Sequence, residues 1–305
     1  MIKRKDEIRL SPPPKYWISE QDEISSDVIK VLNEYLLSLK IENKAEATVR
    51  HYRAQLEKFL VECNVPLKDL TSEIVWKWLN NYSTNKKPRT IDFVLSSLSS
   101  FFRFCLEEEY METQVIKNRW RPKIPQSLPQ YLTEQEYARV KLEAEGLSIR
   151  DRALVLFLFS SGCRKSEVSN ITLHDVDMDK RTAEVIGKGK KLRHIHFSEE
   201  CALVLKEYLQ TRTEKSNYLF VNRYGNRLGR QSIYNITTNL GKKAGLVQSL
   251  YPHSCRHTFA TMMLARGAEL EFIADELGHS DHNTTRVYAR IPSEELMKAY
   301  QNKMG

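Results

Sequence analysis

Apolar residues in the first third of the chain recur at three- and four-residue spacing, which is typical of helices with one buried face. This pattern predicts four helices: one from Ser25, one after Glu46, one around Trp76 and one after Pro88. The predicted buried faces are Val28, Val31, Leu32, Tyr35, Leu36 and Leu39; Val49, Tyr52, Leu56, Phe59 and Leu60; Ile74, Trp76, Trp78 and Leu79; and Ile91, Val94, Leu95, Leu98, Phe101, Phe102 and Leu106. Four helices without a convincing strand predict a small helical bundle.

The pattern is absent from two segments that flank the bundle. Residues 1–24 contain three consecutive prolines and balanced charges, and predict a tail without a core. Residues 117–130 contain three prolines and no acid, and predict an extended linker. This linker is either a solvated connection or, since it has four basic residues, a segment that lies along a phosphate backbone. The predicted organisation is therefore a tail over 1–24, a helical domain over 25–116, a basic linker over 117–130 and a second domain over 131–305.

The second domain is predicted to be helical with one small antiparallel sheet. A capped helix should begin near Thr133, and an apolar helix should run over 150–160. Residues 182–186 and 192–197 predict two strands around a turn that contains Gly187 and Gly189. The expected fold class is mainly α: a helical-bundle N-terminal domain joined to a larger mixed helical domain with a small antiparallel β-sheet.

Charge indicates the kind of partner. The chain of 305 residues has a formal net charge of +8. Residues 215–268 contain no Asp or Glu, but eight Lys or Arg residues. An ordinary surface mixes both signs, so this stretch favours a surface that faces phosphate.

Other features exclude several classes of protein. No segment is apolar enough to span a membrane, and the five cysteines are scattered without a C-x-x-C pair. These features predict a cytoplasmic protein with reduced thiols, without a zinc ribbon or finger. His194 and His196 share one face of a predicted strand without a third ligand nearby, so we expect no metal and no cofactor.

Five short segments contain the residue types that catalysis could use. They are residues 161–167 (SGCRKSE), 187–189 (GKG), 253–257 (HSCRH), 277–280 (LGHS) and 284–288 (TTRVY). Each one alone has an ordinary explanation, such as a surface ion pair between Arg164 and Glu167 or a hairpin tip at Lys188.

Together, the five segments resemble the tyrosine recombinase (phage integrase) family. The family's catalytic motifs place six residues in a fixed order, and the last His precedes the Tyr by nine residues. The matching residues of this chain, with the same spacing of nine, are Arg164, Lys188, His253, Arg256, His279 and Tyr288. Cys163, Lys165 and Cys255 depart from the commoner family residues and are interpreted as packing or surface changes. The resemblance covers about residues 25–300 and fits the two-domain type without an arm-binding domain.

The resemblance implies cleavage of DNA through a 3′-phosphotyrosine on Tyr288, without metal or ATP. Arg164 and Arg256 are expected to hold the non-bridging phosphate oxygens, because guanidinium groups bind phosphate with two donors. His279 is expected to assist them, His253 to transfer a proton or position the nucleophile, and Lys188 to protonate the leaving oxygen.

Three further expectations concern support, partners and DNA contacts. Glu167 is expected to orient the catalytic scaffold. The expected partners are double-stranded DNA and other copies of the chain, which would form a tetramer on paired sites. Candidate DNA contacts are Thr48, Arg50, Arg53, Lys86, Lys87, Arg89, Thr90, Arg227, Arg230, Gln231, Lys242 and Lys243. Most of these would contact phosphate rather than bases.

Three alternatives stay open at the level of sequence. A non-catalytic DNA-binding regulator would be expected to lack one of the six residues, and none is missing. A relaxing topoisomerase would share the nucleophile but would act on DNA without a recombination site. An RNA-binding protein would leave the ordered motifs unexplained.

Overall fold

The computed structural model describes residues 15–125, 129–187, 191–213, 215–278, 285, 287 and 288. The chain divides into two compact units between residues 126 and 127. No helix within these described ranges is long and apolar enough to cross a membrane. The mainly helical fold with one small antiparallel sheet confirms the fold class predicted from the sequence.

The first unit is a bundle of four α-helices around one apolar core. The helices are α1 (Ser26–Ile41), α2 (Glu46–Cys63), α3 (Ser72–Ser83) and α4 (Pro88–Glu107). All six apolar residues predicted for the buried face of α1 are buried. Helix α4 begins with Pro88, where a missing backbone N–H has no cost, and buries Phe101 and Phe102 completely.

One face was predicted wrongly. The sequence pattern placed Trp76 on the buried side of α3, but this side chain is 47% exposed, and Val75 is buried. Because successive helical residues are about 100° apart, Trp76 and Trp78 cannot share one face. The ring of Trp76 instead contacts Trp120, with the ring centroids 5.2 Å apart.

The segments on either side of the bundle pack against it within the described range. Tyr16 and Trp17, from the predicted tail, lie against the core of the first unit. At the start of the predicted linker, residues Asn118–Trp120 form one turn of 3-10 helix, and Arg121 pairs with Asp92 at 2.7 Å.

The second unit surrounds the long apolar helix α6. Its elements are α5 (Glu134–Glu145), α6 (Ile149–Ser161), α7 (Lys165–Asn170), β1 (Val176–Asp177), β2 (Thr182–Ile186), β3 (Leu192–His196), α8 (Glu199–Thr211), α9 (Arg230–Lys243), α10 (Pro252–Ala265) and α11 (Leu270–Leu277). Residues 153–159 of α6 are all buried. Thr133 and Glu136 form the reciprocal capping bonds at the start of α5 that the sequence predicted.

The three strands form one antiparallel sheet in the order β1-β2-β3. Strand β2 pairs with β3 from Thr182 opposite His196 to Ile186 opposite Leu192. The short strand β1 was not predicted, because two residues are too few to show an alternating pattern. The sheet brings β3 against α11, and this contact positions the candidate site.

Candidate active site

The first part of the site is a sharp chain reversal after α6. Gly162 ends that helix with φ = +61°, a backbone conformation that side chains rarely allow. A Cβ atom there would lie 2.6 Å from the Phe259 ring and 2.8 Å from Leu277 Cδ2, so only glycine fits. The reversal places Arg164 directly before α7, where its backbone N–H and its guanidinium group both donate to Glu167, at 2.8 and 2.9 Å.

Three arginines converge on the C-terminal end of α11. Arg193 Nε donates to the carbonyl oxygen of residue 276 at 3.0 Å, Arg256 Nη2 to that of residue 277 at 2.6 Å, and Arg164 Nη2 to that of residue 278 at 3.3 Å. The last carbonyls of a helix lack intrahelical partners and carry partial negative charge. The end of α11 therefore gathers three guanidinium groups from three separate elements.

Arg256 is the most deeply buried of these cations. Its side chain is 1% exposed, and Nη1 donates to the carbonyl oxygen of Gly162 at 2.8 Å. Burial, and then the neighbouring charge of Arg164, lower the pKa of Arg256 to about 10. The group therefore keeps its positive charge at neutral pH and is fixed in place before any ligand binds.

The buried carboxylate of Glu167 balances part of this charge. The Glu167 side chain is 2% exposed, and it pairs with Arg164 at 2.9 Å and with Arg193 at 2.7 Å. Burial alone would raise the pKa of Glu167, but the hydrogen bonds and charges of the two arginines lower it. Glu167 pairs with two of the three guanidinium groups and Arg256 has no carboxylate partner among the described residues, so the cluster keeps an excess of positive charge that suits a phosphodiester.

The nucleophile candidate is held by a histidine that the sequence analysis did not select. Tyr288 is 1% exposed, and its hydroxyl lies 2.6 Å from Nδ1 of His257. Burial raises the pKa of Tyr288 to about 12, although the positive charge of Arg256 acts to lower it. Burial and the adjacent charges of His253 and Arg256 lower the pKa of His257 to about 4. At neutral pH, the protonated Tyr288 hydroxyl therefore donates a hydrogen bond to a neutral imidazole.

His253 lies one helical turn before His257 on α10. The two rings are 4.5 Å apart in an edge-to-face arrangement, and His253 is itself exposed. Partial loss of hydration, with the charges of Arg256 and Arg164, lowers the pKa of His253. Helix α10 therefore carries Arg256, His253 and the histidine that contacts Tyr288.

The structure brings together four of the six predicted residues, while the other two lie outside the described residues. Arg164, Arg256, His253 and Tyr288 form one site, whereas Lys188 and His279 belong to the residues that are not described. Glu167 joins the site as a partner of two arginines. Within the described ranges, no three His, Cys, Asp or Glu side chains are placed to hold a metal ion.

Sequence reasoning missed Arg193 and His257. His257 had a signal, since it directly follows Arg256 in a quoted segment and lies four residues after His253. Arg193 had only a position on a predicted strand, because its partners Glu167 and Glu276 are 26 and 83 residues away in the chain.

The candidate DNA contacts of the first unit fall into two groups. Arg50 pairs with Glu46, and Arg53 donates to the carbonyl oxygen of Ile18. By contrast, the residues at the start of α4 have exposed side chains: Lys86, Lys87, Arg89 and Thr90. Thr48 is half-buried on α2.

The candidates of the second unit lie mostly on α9. Arg230 and Gln231 are the first two residues of this helix, Lys242 and Lys243 are its last two, and all four are exposed. Arg227, in the preceding loop, donates to the side chain of Asn170.

Two family models match the chain. The phage integrase family matches residues 130–295, and the phage integrase N-terminal SAM-like domain matches residues 32–109. The first match alone covers more than half of the chain, so the chain belongs to the phage integrase family of tyrosine recombinases. It is a tyrosine-type site-specific recombinase.

Curated relatives agree with this assignment, and a solved structure shares the fold. The tyrosine recombinase XerA of Pyrococcus horikoshii is 35% identical over 93% of this chain and 96% of its own length. The tyrosine recombinase XerC of Staphylococcus carnosus is 30% identical over 90% of this chain and 96% of its own length. The fold is similar to that of the XerH recombinase bound to palindromic difH substrate, with a TM-score of 0.74, 20% identity, and coverage of 93% of this chain and 91% of that one.

Proposed function

We propose that this recombinase cleaves and rejoins DNA through a 3′-phosphotyrosine on Tyr288, for DNA integration, excision or resolution. The observation that carries the proposal is the preformed cation cluster at the end of α11, beside the helix that holds Tyr288 through His257. The direct test is isolation of a covalent protein–DNA complex from a nicked substrate. After cleavage of this substrate, the short fragment that carries the new 5′ hydroxyl diffuses away. The strand then cannot be rejoined, and the covalent complex accumulates.

The proposed reaction keeps its atoms and charges in balance. The Tyr288 oxygen attacks phosphorus and gives up its hydroxyl proton to a base, the phosphorus–O5′ bond breaks, and an acid gives a proton to the departing 5′ oxygen. The phosphotyrosine conserves the energy of the broken bond, so a second 5′ hydroxyl can reverse the step without ATP. Because the described residues provide the required charges, the proposed mechanism needs neither a cofactor nor a metal.

Each described residue has a proposed task. Arg164 and Arg256 hold the non-bridging oxygens, whose charge rises in the transition state, and they need little reorganisation because their positions are already fixed. His253 transfers or shares the proton of the nucleophile, and Glu167 orients Arg164. Lys188 and His279 are proposed as the general acid and as a further phosphate ligand, on the motif match alone.

The arrangement of Tyr288 corresponds to a resting state. Burial raises the pKa of Tyr288 to about 12 and lowers that of His257 to about 4, so the proton stays on the tyrosine oxygen. The hydroxyl is also too buried for a DNA phosphate to reach. We therefore propose that Tyr288 leaves His257 when DNA binds.

Protonation of the histidines should destabilise the second unit in mild acid. The folded-state pKa of His257 lies below its usual value of 6.5, so its stabilising effect is complete above pH 6.5. As the pH falls from 6.5 towards 4, the unfolded chain binds the proton first, and this stability is lost. We expect the melting temperature to fall over this range.

The variant His257→Asn isolates this effect. Asparagine keeps an acceptor for Tyr288 but does not titrate, so the fall in melting temperature between pH 7 and pH 5 should be smaller in the variant. Thermal unfolding followed by circular dichroism at both pH values measures the difference. Equal falls in the two proteins would contradict the assigned direction of the pKa shift.

We propose that both units bind double-stranded DNA. The first unit offers the exposed basic residues before and within the first turn of α4, and the second offers α9. Arg50 already pairs with Glu46 and Arg53 with the carbonyl oxygen of Ile18, so we expect these two residues to contribute less than the exposed basic residues of α4. We further propose assembly of four copies on paired sites, in the cytoplasm where DNA is accessible.

DNA binding should depend strongly on salt. With roughly ten phosphate contacts per protomer, the logarithm of affinity should fall with the logarithm of salt concentration at a slope of about −9. Fluorescence anisotropy with a labelled duplex between low and moderate salt measures this slope. A slope near zero would contradict a DNA interface built from phosphate contacts.

A further inference from the structure

Arg193 is the cation of the site to which no motif assigns a task. It lies on β3, and its side chain is 11% exposed. Nη1 and Nη2 donate to the two oxygens of Glu167 at 2.7 and 2.9 Å, while Nε donates to the carbonyl oxygen of Glu276 at 3.0 Å. The guanidinium group therefore joins three elements: the sheet, α7 and α11.

Arg193 also packs against the glycine that precedes each of the two catalytic candidates outside the described residues. Gly187 is bonded to Lys188, and a Cβ atom on this glycine would lie 3.3 Å from Arg193 Nη1. Gly278 is bonded to His279 and has φ = +61°, and a Cβ atom there would lie 2.7 Å from Arg193 Cδ. The two chain segments that lead to these candidates thus meet on one side chain.

The bonds to Glu167 determine how Arg164 is held. Oε1 of Glu167 accepts from Arg164 and from Arg193, and Oε2 accepts from the backbone N–H of Arg164 and from Arg193. These four bonds fill the positions of a carboxylate. Without Arg193, two of those positions would be empty in a buried place, and Arg164 would be free to close on the carboxylate and away from phosphate.

We propose that Arg193 is a positioning residue that fixes the β2–β3 hairpin, and with it Lys188, relative to Arg164 and to the segment before His279. The inference rests on the proposed function, because it assigns Arg193 a task in the same cleavage step. The pairing of Arg193 opposite Val185 places this anchor two residues from Gly187, which is bonded to Lys188.

A purely structural role would make Arg193 similar to Arg150. That side chain also donates to a carboxylate, of Asp151 at 2.8 Å, and to a backbone carbonyl, of Val221 at 3.1 Å. None of these partners belongs to the site or adjoins a catalytic candidate. Arg150→Ala therefore removes bonds of the same kind without disturbing the site, and it serves as the matched control.

The test measures DNA affinity, melting temperature and covalent-complex formation. The substrate is a nicked duplex carrying the site that the wild-type protein selects from a random DNA pool. Arg193→Ala should bind this DNA within about threefold of wild type and cleave it about 100-fold more slowly, the size expected for misplaced reacting groups. Arg150→Ala should lower the melting temperature and leave the cleavage rate within about threefold of wild type.

A substrate with sulfur in place of the bridging 5′ oxygen separates the two consequences. Its leaving thiolate needs no proton, so a misplaced Lys188 no longer slows the cleavage of this substrate. A misplaced Arg164 still slows it. The cleavage rate of Arg193→Ala relative to wild type should therefore be about tenfold higher on the sulfur substrate than on the oxygen substrate. A mere loss of folded protein would reduce cleavage of both substrates equally.

Arg193→Lys keeps the proposal testable if the alanine variant does not fold. Lysine retains the charge beside Glu167 but cannot supply three donors in a fixed fork, so this variant should melt near the wild-type temperature and still cleave at least about tenfold more slowly. A folded lysine variant that cleaves at the wild-type rate would overturn the proposal. An alanine variant whose cleavage rate falls equally on the oxygen and the sulfur substrate would also overturn it. Wild-type protein that forms no covalent complex would overturn the proposed reaction itself.

Discussion

A variant with phenylalanine in place of Tyr288 should bind DNA and form no covalent complex with it. The change removes only the oxygen that would attack phosphorus, while the ring keeps its buried position. The cleavage rate should fall on the order of 10⁶-fold, as expected when a covalent catalyst loses its nucleophile. Gel electrophoresis under denaturing conditions on a nicked substrate detects the covalent product.

The variant also loses the hydrogen bond to His257. The imidazole nitrogen then lacks its donor, so the free energy of unfolding should fall by about 1–3 kcal/mol. This cost is small beside the effect on cleavage, and a melting curve measures it separately.

Tyr300→Phe is the control for Tyr288→Phe. Tyr300 lies outside the described residues, and the sequence pattern places it on the apolar face of the C-terminal segment with Leu296 and Met297. This variant should cleave normally. If peptide mapping of trapped complexes found DNA attached to any tyrosine other than Tyr288, the register of the motifs would be wrong.

Replacement of Lys188 by alanine should slow cleavage of ordinary DNA by about 10²–10⁴-fold, the usual contribution of a general acid. A 5′ hydroxyl leaves poorly without a proton, and an arginine is too weak an acid to supply one. DNA binding should change little. Single-turnover cleavage on the nicked duplex measures the loss.

The bridging-sulfur substrate decides whether the loss concerns the proton. A thiolate leaves unaided, so Lys188→Ala should cleave this substrate at nearly the wild-type rate. Arg164→Ala should lose about 10²–10³-fold on both substrates, because its task is to hold non-bridging oxygens. Equal failure of Lys188→Ala on oxygen and sulfur would move the acid role to another residue, with His253 as the next candidate.

Local sequence patterns predicted those parts of the fold that depend on neighbouring residues. The six apolar positions of α1 are all buried, because a helix repeats its faces every three or four residues. The cap at Thr133 and the pairing of β2 with β3 also formed as predicted, since both depend on a few consecutive residues. Trp76 was misplaced because the pattern of α3 contained more apolar residues than one helix face can hold.

The sequence by itself determined the fold class, the order of the motifs and the family, because these depend on residue types and their spacing along the chain. Only the tertiary structure decided which side chains act together. Arg193 meets Glu167 across 26 residues and Glu276 across 83, and His257 meets Tyr288 across 31. Such contacts follow from the packing of β3 against α11 and of Tyr288 against α10. Spacing along a chain carries no record of these distances, and so the third arginine and the partner of the nucleophile became visible only in the folded protein.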